Sequence, residues 1–191
     1  MKTTMIKSAA VVLVAFVTMS FTTIKKEVKP IKTEESNINW VGKKVTGQHS
    51  GTIGIKEGGL EFKKDKLVGG SIVVDMSSIE VTDLEGDYKN KLEGHLKADD
   101  FFGTDNFKTA TLVFTKVEAK DGKYQVTGDF TIKGITESIQ FDLNIEGNKA
   151  TSSLKINRTK FGIKYGSSSF FDGLKDKAIY DDFELEVTLV F

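Results

Sequence analysis

Few side chains in this sequence could carry out catalysis or bind a metal. The chain has two histidines, His49 and His95, and it has no cysteine, which removes thiol nucleophiles, thiolate metal sites and disulfides. His95 and Asp99 lie four residues apart and could share a helix face, but a metal site needs three or four ligands. The serines lie in no nucleophile-elbow motif. We therefore expect no metal, no cofactor and no enzymatic activity.

Arg158 is the only arginine among 27 basic residues. Its planar guanidinium could bind a phosphate or a quinone oxygen of a ligand head group, with His49 or Tyr165 nearby. The alternative is a buried ion pair with a carboxylate such as Asp75 or Asp172, which would stabilise one end of the fold. The sequence leaves both interpretations open.

Composition limits the class of protein. The chain has 191 residues, a net charge of zero, 39% hydrophobic residues and 28% charged residues. These values indicate one globular domain and exclude a disordered chain or a multi-span membrane protein. A nucleic-acid-binding domain is usually clearly basic, so we expect no nucleic-acid partner.

The amino-terminal segment has the pattern of a secretory signal peptide. Lys2 and Lys7 precede an apolar run over residues 9–21, which is too short to span a bilayer. We predict a signal peptide over residues 1–22 and an exported protein, either periplasmic or secreted. Residues 23–36 are rich in Lys and Glu and contain the only proline, so we predict a flexible leader there.

From residue 37 onward, apolar residues alternate with polar ones. Examples are Tyr124 and Val126 in one run and Phe141 and Leu143 in another. This period of two predicts strands with one apolar face and one polar face. Turns are predicted at 58–59, 69–70, 121–122, 134 and 147–148. About eight long strands indicate an all-β domain over residues 37–191, an extended antiparallel eight-stranded barrel.

One segment breaks the alternation. In residues 84–102, Leu84, Tyr88, Leu92 and Leu96 recur every fourth position, which predicts one amphipathic helix inserted between strands. Asp83 is the expected amino-terminal cap of this helix.

Five blocks in fixed order resemble a known family. They are WVGKKVTGQHSG at 40–51, GGSIVVDMSSI at 69–79, LEGHLKADDFF at 92–102, GDFTIKGIT at 128–136 and RTKFGIKY at 158–165. Together they resemble the YceI-like family of exported polyisoprenoid-binding proteins, and the resemblance covers residues 37–191. It implies a lipocalin-like barrel whose apolar lumen binds an isoprenoid lipid or quinone without catalysis.

The residues agree with an apolar lumen. Fourteen phenylalanines accompany four tyrosines and one tryptophan, and phenylalanine can line a tunnel without a hydroxyl that needs a partner. His49 and Arg158 have the parity of inward residues. The predicted ligand-binding residues are Trp40, His49, Ile53, Ile55, Phe62, Ile72, Val74, Phe101, Phe102, Phe114, Phe130, Phe141, Arg158, Phe161, Tyr165, Phe170, Phe171 and Phe183.

Two alternatives compete with a lipid-binding barrel. An outer-membrane barrel would also have a signal peptide and alternating strands, but its interfaces would call for more Tyr and Trp. A solid-core barrel that binds other proteins would bury the same phenylalanines without a cavity. The expected partner is a hydrophobic small molecule, and transient membrane contact and a homodimer stay open.

Overall fold

The computed structural model describes residues 25–191, so the predicted signal peptide lies outside the described residues. Within them, nine strands, one α-helix and three short 3-10 helices follow the chain. The strands are β1 (Glu27–Pro30), β2 (Asn37–Lys44), β3 (Gly47–Lys63), β4 (Lys66–Val81), β5 (Thr109–Lys120), β6 (Lys123–Ile132), β7 (Ile135–Glu146), β8 (Lys149–Asn157) and β9 (Ile179–Val190). The helix α1 (Gly86–Lys97) lies between β4 and β5, and the 3-10 helices are Thr33–Glu35, Arg158–Phe161 and Lys175–Lys177.

The predicted eight-stranded antiparallel barrel with one helix is confirmed. From β2 to β9, each strand pairs with the next, and β9 pairs with β2 to close the cylinder. We call the end that carries α1 and the β8–β9 connection the helix end. The opposite end, with the β3–β4, β5–β6 and β7–β8 hairpins, is the hairpin end. No helix in residues 25–191 is long and apolar enough to cross a membrane.

Strands β3 and β4 run through glycine pairs that the sequence predicts as turns. Positions 58–59 and 69–70 lie inside these strands of 17 and 16 residues, so the two predicted turns are wrong. The glycines serve close packing instead: a Cβ on Gly58 would lie 2.7 Å from Ile31 Cδ1. The chain actually turns at Lys64 and Asp65, both with positive φ, as in a type I′ hairpin.

The predicted flexible leader is also wrong for residues 27–36. Strand β1 pairs with β3 from Glu27↔Phe62 to Pro30↔Gly59, and Ile31 is buried in the core. A 3-10 turn then leads into β2, which pairs with the other half of β3. The ordered structure of this segment was missed because its apolar residues are too few to show a period, although Ile31 packs in the hairpin-end cluster.

Helix α1 begins and ends within the predicted segment, but its cap differs. Glu85 occupies the N-cap position without a side-chain hydrogen bond. Asp83 Oδ1 instead accepts a hydrogen bond from the Ser50 backbone N–H, and Asp83 Oδ2 lies 2.9 Å from His49 Nδ1, so Asp83 connects the segment before the helix to β3. After the helix, Phe101 and Phe102 are buried against the barrel end.

The core divides into two clusters along the barrel axis. The cluster at the helix end contains Trp40, Met76, Leu96, Phe102 and Phe130 among others. The cluster at the hairpin end contains Leu60, Val126, Leu143 and Ala150, each at most 1% exposed. Val74, Leu112 and Leu154 pack against both clusters, so the two are continuous along the axis.

Candidate functional site

An apolar cavity of about 110 Å³ lies inside the helix end of the barrel. Strands β2, β3, β4, β5, β6 and β9 form its walls, and the aromatic rings that follow α1 close it at the end. Apolar cavities of roughly this size, about 150 Å³, stay free of water and bind benzene-sized molecules. The lining residues are Ile38, Trp40, Gly42, Lys43, Ile53, Val74, Met76, Ile79, Leu96, Phe101, Phe102, Ala110, Phe130, Ile132, Arg158, Ile179, Tyr180, Asp182, Phe183 and Leu185.

Aromatic rings fix the shape of this cavity. Phe101 and Phe102 meet edge to face with centroids 5.1 Å apart, and Phe102 also meets Phe183 at 6.4 Å. Phe130 packs edge to face on Phe161 at 5.7 Å. Such contacts orient the rings without polar partners, so the walls present carbon to the interior.

A second apolar void of about 60 Å³ continues toward the hairpin end. Ile38, Val74, Phe130 and Leu185 line both spaces, so the same side chains separate the cavity from the void. A rotation of the Phe130 ring would change the partition between the two. The interior is therefore an axial series of apolar spaces rather than a uniformly filled core.

Arg158 lies at the edge of the cavity and is 2% exposed. Its Nε, Nη1 and Nη2 atoms donate to the backbone carbonyls of Tyr180, Ile163 and Ile179 at 3.0, 2.8 and 3.1 Å. Nη2 also lies 3.7 Å from Asp181 Oδ1. The alternative of a buried ion pair is the geometry observed, but the partner is Asp181 rather than Asp75 or Asp172.

The charges of this pair balance each other inside the barrel wall. Burial lowers the pKa of Arg158, and the charge of Asp181 acts in the opposite direction. Burial raises the pKa of Asp181, but the Ser167 and Ser169 hydroxyls and Arg158 more than offset it, so this pKa lies below its ordinary value. The guanidinium ties the Arg158–Phe161 turn to the start of β9, which forms one rim of the cavity.

The barrel wall is interrupted beside the cavity, between β2 and β9. Gly42 pairs with Phe183 and Lys44 pairs with Ile179, so Lys43 faces three residues of β9 instead of one. Lys43, Tyr180 and Asp182 line both the cavity and a polar groove on the outer surface. We call this interruption the β2–β9 gap. At this point the apolar cavity and the polar outer groove share lining residues.

Charged side chains around the β2–β9 gap are paired with one another. Lys43 Nζ lies 2.6 Å from Glu184 Oε1, and Lys155 Nζ lies 3.4 Å from Asp182 Oδ2. These contacts lower the pKa of Glu184, first through the hydrogen bond from Lys43. A molecule that reaches the gap from inside therefore meets compensated charges.

The structure brings many of the predicted site residues together. Those that line the cavity are Trp40, Ile53, Val74, Phe101, Phe102, Phe130, Arg158 and Phe183. Those that line the smaller void are Ile72, Val74, Phe114, Phe130 and Phe141. They share inward parity on strands or lie in the turn after α1, which is why alternation could find most of them.

Other predicted site residues lie away from both spaces. His49 points to Asp83 at the surface, Phe161 packs behind Phe130, and Ile55 packs in the hairpin-end cluster. Phe62 packs against Phe191 at the hairpin end, with ring centroids 5.4 Å apart. Ile55 and Phe62 face the core but pack in its hairpin-end cluster, and Phe161 lies in a 3-10 turn rather than on a strand. Their predicted positions at the ligand site, and that of His49, are therefore corrected.

The aromatic residues of the β8–β9 connection are exposed rather than internal. Tyr165 meets the His95 ring edge to face at 4.5 Å and is half exposed, as are Phe170 and Phe171. His95 also packs against Phe101, and no group of three potential metal ligands occurs among residues 25–191. The predicted placement of Tyr165, Phe170 and Phe171 in the lumen is therefore wrong.

Several lining residues escaped the sequence-based site prediction. Met76, Ile132 and Leu185 have inward parity and could have been included on that ground. Ala110 was missed because a small side chain carries little apolar signal. Lys43 and Asp182 could not be found, since they reach the cavity through an irregular pairing that alternation does not reveal.

Comparison with protein families identifies the barrel. Residues 30–191 match a family model described as YceI-like domain. The chain belongs to the YceI-like family. A UPF0312 protein of Staphylococcus aureus strain USA300 is 37% identical in an alignment of 87 positions that covers 40% of this chain and 48% of that protein. The YceI-like chain thus spans about half the length of the curated relatives it matches.

Solved structures share the fold of this YceI-like barrel. BcnA of Burkholderia cenocepacia superposes with a TM-score of 0.68 at 21% identity, covering 84% of this chain and 99% of that one. A polyisoprenoid binding domain from Saccharophagus degradans gives 0.60 at 15% identity, covering 86% and 97%. The YceI protein of Campylobacter jejuni gives 0.52 at 18% identity, covering 98% and 96%.

Proposed function

We propose that this protein binds an amphiphilic isoprenoid lipid inside the barrel and carries or sequesters it without catalysis. The observation that carries the proposal is the apolar cavity at the helix end, lined by Phe102, Phe130 and Phe183 and continued by a second void. Membership of the YceI-like family and the fold shared with a polyisoprenoid binding domain support an isoprenoid ligand. A cavity of this kind argues against a solid-core interaction barrel.

The apolar tail would lie along the barrel axis. The cavity of about 110 Å³ and the void of about 60 Å³ are too small for a long polyprenyl chain, so a tail that enters both must displace the shared side chains. Phe130 and Leu185 lie between the two spaces, and Met76 offers a flexible wall. We expect the barrel interior to adjust to the tail by changes in rotamer.

The polar head would lie at the β2–β9 gap. Tyr180 lines both the cavity and the outer groove there, and Lys43 and Asp182 already hold partners of opposite charge. Three N–H donors of Arg158 already form hydrogen bonds to backbone carbonyls. Because charges at the gap are compensated, an uncharged head such as an alcohol or a quinone suits this site better than a phosphate.

The site of action would be outside the cytoplasm. The basic residues and apolar run of residues 1–22 support export to the periplasm or the medium. The outer faces of the strands carry exposed charges such as Asp129, Asp142 and Lys155, which suit water better than the lipid face of an outer-membrane barrel. We propose a carrier in an aqueous compartment.

Native mass spectrometry with geranylgeraniol tests the proposal. We expect one lipid per wild-type protomer, and a loss of binding of about tenfold or more when Ala110→Phe fills the cavity. The matched control is Val113→Phe, which adds a ring on the outer face of the same strand. Equal binding by both variants, or no binding by the wild type, would contradict a ligand in the cavity.

A further inference from the structure

Exposed aromatic and large apolar side chains concentrate at the helix end of the barrel. Residues 25–191 contain ten such side chains, and seven of them lie at this end. They are Val45, Tyr88, Ile135, Tyr165, Phe170, Phe171 and Tyr180. Single exposed apolar residues are ordinary on a soluble protein, but a cluster at one end marks an interaction surface.

The β8–β9 connection presents the most prominent of these rings. Phe170 and Phe171 are 48% and 51% exposed although they are adjacent in sequence. Their backbone N–H groups donate to the carbonyl of Ser167 at 3.1 and 3.0 Å, and Ser167 itself is fully buried. A hydrogen-bonded turn with a buried base therefore holds both rings at the surface.

The charge of the same connection is positive. Residues 159–178 contain only two acids, Asp172 and Asp176, and four lysines, Lys160, Lys164, Lys175 and Lys177. None of these four lysines forms an ion pair in the described part of the chain. Lys164 Nζ lies 4.6 Å from the centroid of the Phe170 ring, so a cation and an aromatic ring already share one site.

We propose that the β8–β9 connection at the helix end docks on the surface of an anionic lipid bilayer, with Phe170 and Phe171 entering the interface and the four lysines of the connection contacting lipid phosphates. Aromatic rings flanked by lysines are the chemistry that binds at such an interface. A neutral apolar protein partner would leave the lysine charges uncompensated, so we propose an anionic bilayer as the binding partner.

Docking would bring the cavity close to the lipids. The Val45 N–H donates to the carbonyl of Ala178 at 3.1 Å, which fastens the end of the connection beside the β2–β9 gap. Tyr180 belongs both to the exposed set and to the cavity lining. This role for the surface rests on the proposed function, because it gives an isoprenoid a short path between bilayer and barrel.

Vesicle co-sedimentation tests the docking surface. The probes are vesicles of phosphatidylcholine alone and of equal parts phosphatidylcholine and phosphatidylglycerol. We expect wild-type protein to sediment with the anionic vesicles, and Phe170→Ser/Phe171→Ser to weaken the partition by about tenfold or more. Lys175→Glu/Lys177→Glu should weaken it about tenfold or more at low salt, since lysines near an anionic surface attract the protein to it.

A matched control lies at the other end of the barrel. Val68 is 40% exposed beside the β3–β4 hairpin, and Val68→Ser should leave sedimentation unchanged. Equal sedimentation by wild type and Phe170→Ser/Phe171→Ser would overturn the proposal. Wild-type protein that stays in the supernatant with both kinds of vesicle would also overturn it. So would light scattering that shows a dimer of the wild type held together by these rings.

The two proposals fail in different ways. The cavity variant Ala110→Phe should keep its vesicle binding, and Phe170→Ser/Phe171→Ser should keep its binding of geranylgeraniol delivered in detergent. A wild type that sediments with anionic vesicles but loads no geranylgeraniol would support docking and contradict the proposed function. Loading without sedimentation would support the function and overturn docking.

Discussion

At the hairpin end of the barrel, Leu60, Val126 and Leu143 are fully or almost fully buried, and the space between walls shrinks to about 60 Å³. At the helix end, the rings after α1 and the irregular pairing of β2 with β9 leave about 110 Å³. Both ends use long alternating strands. The difference shows that the connection after α1 and one irregular strand pairing, rather than the alternation along the strands, decide where the barrel stays open.

The largest effect on stability is expected at Arg158, the buried charge at the helix end. Arg158→Ala should lower the free energy of unfolding by about 3–5 kcal/mol, because it leaves Asp181 and three carbonyls without their partner. Chemical denaturation measures this change. Arg158→Lys keeps a charge but loses the fork, so it should recover part of the stability.

The same variants decide the role of the guanidinium. If Arg158 is structural, Arg158→Lys should bind geranylgeraniol with nearly wild-type affinity once folded. If Arg158→Lys is as stable as wild type but binds geranylgeraniol more weakly, Arg158 contacts the head group of the ligand.

Adding the same volume at each end sharpens the comparison of packing. Ala110 lines the cavity, whereas Ala150 is fully buried in the hairpin-end cluster and lines neither space. We expect Ala150→Leu to cost about 1–3 kcal/mol through overpacking, and Ala110→Leu to cost much less. Thermal and denaturant unfolding measure both, and equal costs would mean that the two ends are packed alike.

Acid should weaken the helix end through Asp181. Its pKa lies below the ordinary value of about 3.9 for aspartate, so the folded state favours the ionised carboxylate. The stability it contributes is present above about pH 4 and is lost as pH falls through the lower folded pKa. In Asp181→Asn, the loss of stability below about pH 4 should be smaller than in wild type. Unfolding curves at several pH values check this, and parallel pH profiles of both proteins would contradict it.

The smallest effect is expected at the surface pair of His49 and Asp83. Their side chains are about one third exposed, and His49 lies on neither internal space. His49→Ala should cost less than about 1 kcal/mol and leave lipid binding unchanged. A marked loss of affinity by titration would mean that His49 acts on the ligand after all.

Alternation in the sequence predicts the fold well because inward and outward faces of β5 to β9 differ in polarity. It also finds Phe130, Phe141 and Phe183, which have inward parity on their strands. It fails at Ile31, which follows a strand too short to show a period. It also fails at Gly58, where a glycine needed for close packing has the sequence signature of a turn.

The site itself could be predicted only in part. The β2–β9 gap depends on which residues pair across two strands far apart in sequence, and no local pattern encodes that register. The partner of Arg158 was missed for the same reason, since Asp181 comes close only when β9 returns beside β8. The exposure of Phe170 and Phe171 follows from a turn at Ser167 that hydrophobicity alone does not reveal.

Methyl NMR of isoleucine during titration with geranylgeraniol tests the central claim most directly. Ile53, Ile79 and Ile132 line the cavity, and Ile31 reports on the hairpin end. We expect the methyl signals of Ile53, Ile79 and Ile132 to shift until the site is saturated, and the methyl signals of Ile31 to stay unchanged. Unchanged signals for the three cavity methyls, or a shift confined to Ile31, would contradict a ligand site at the helix end.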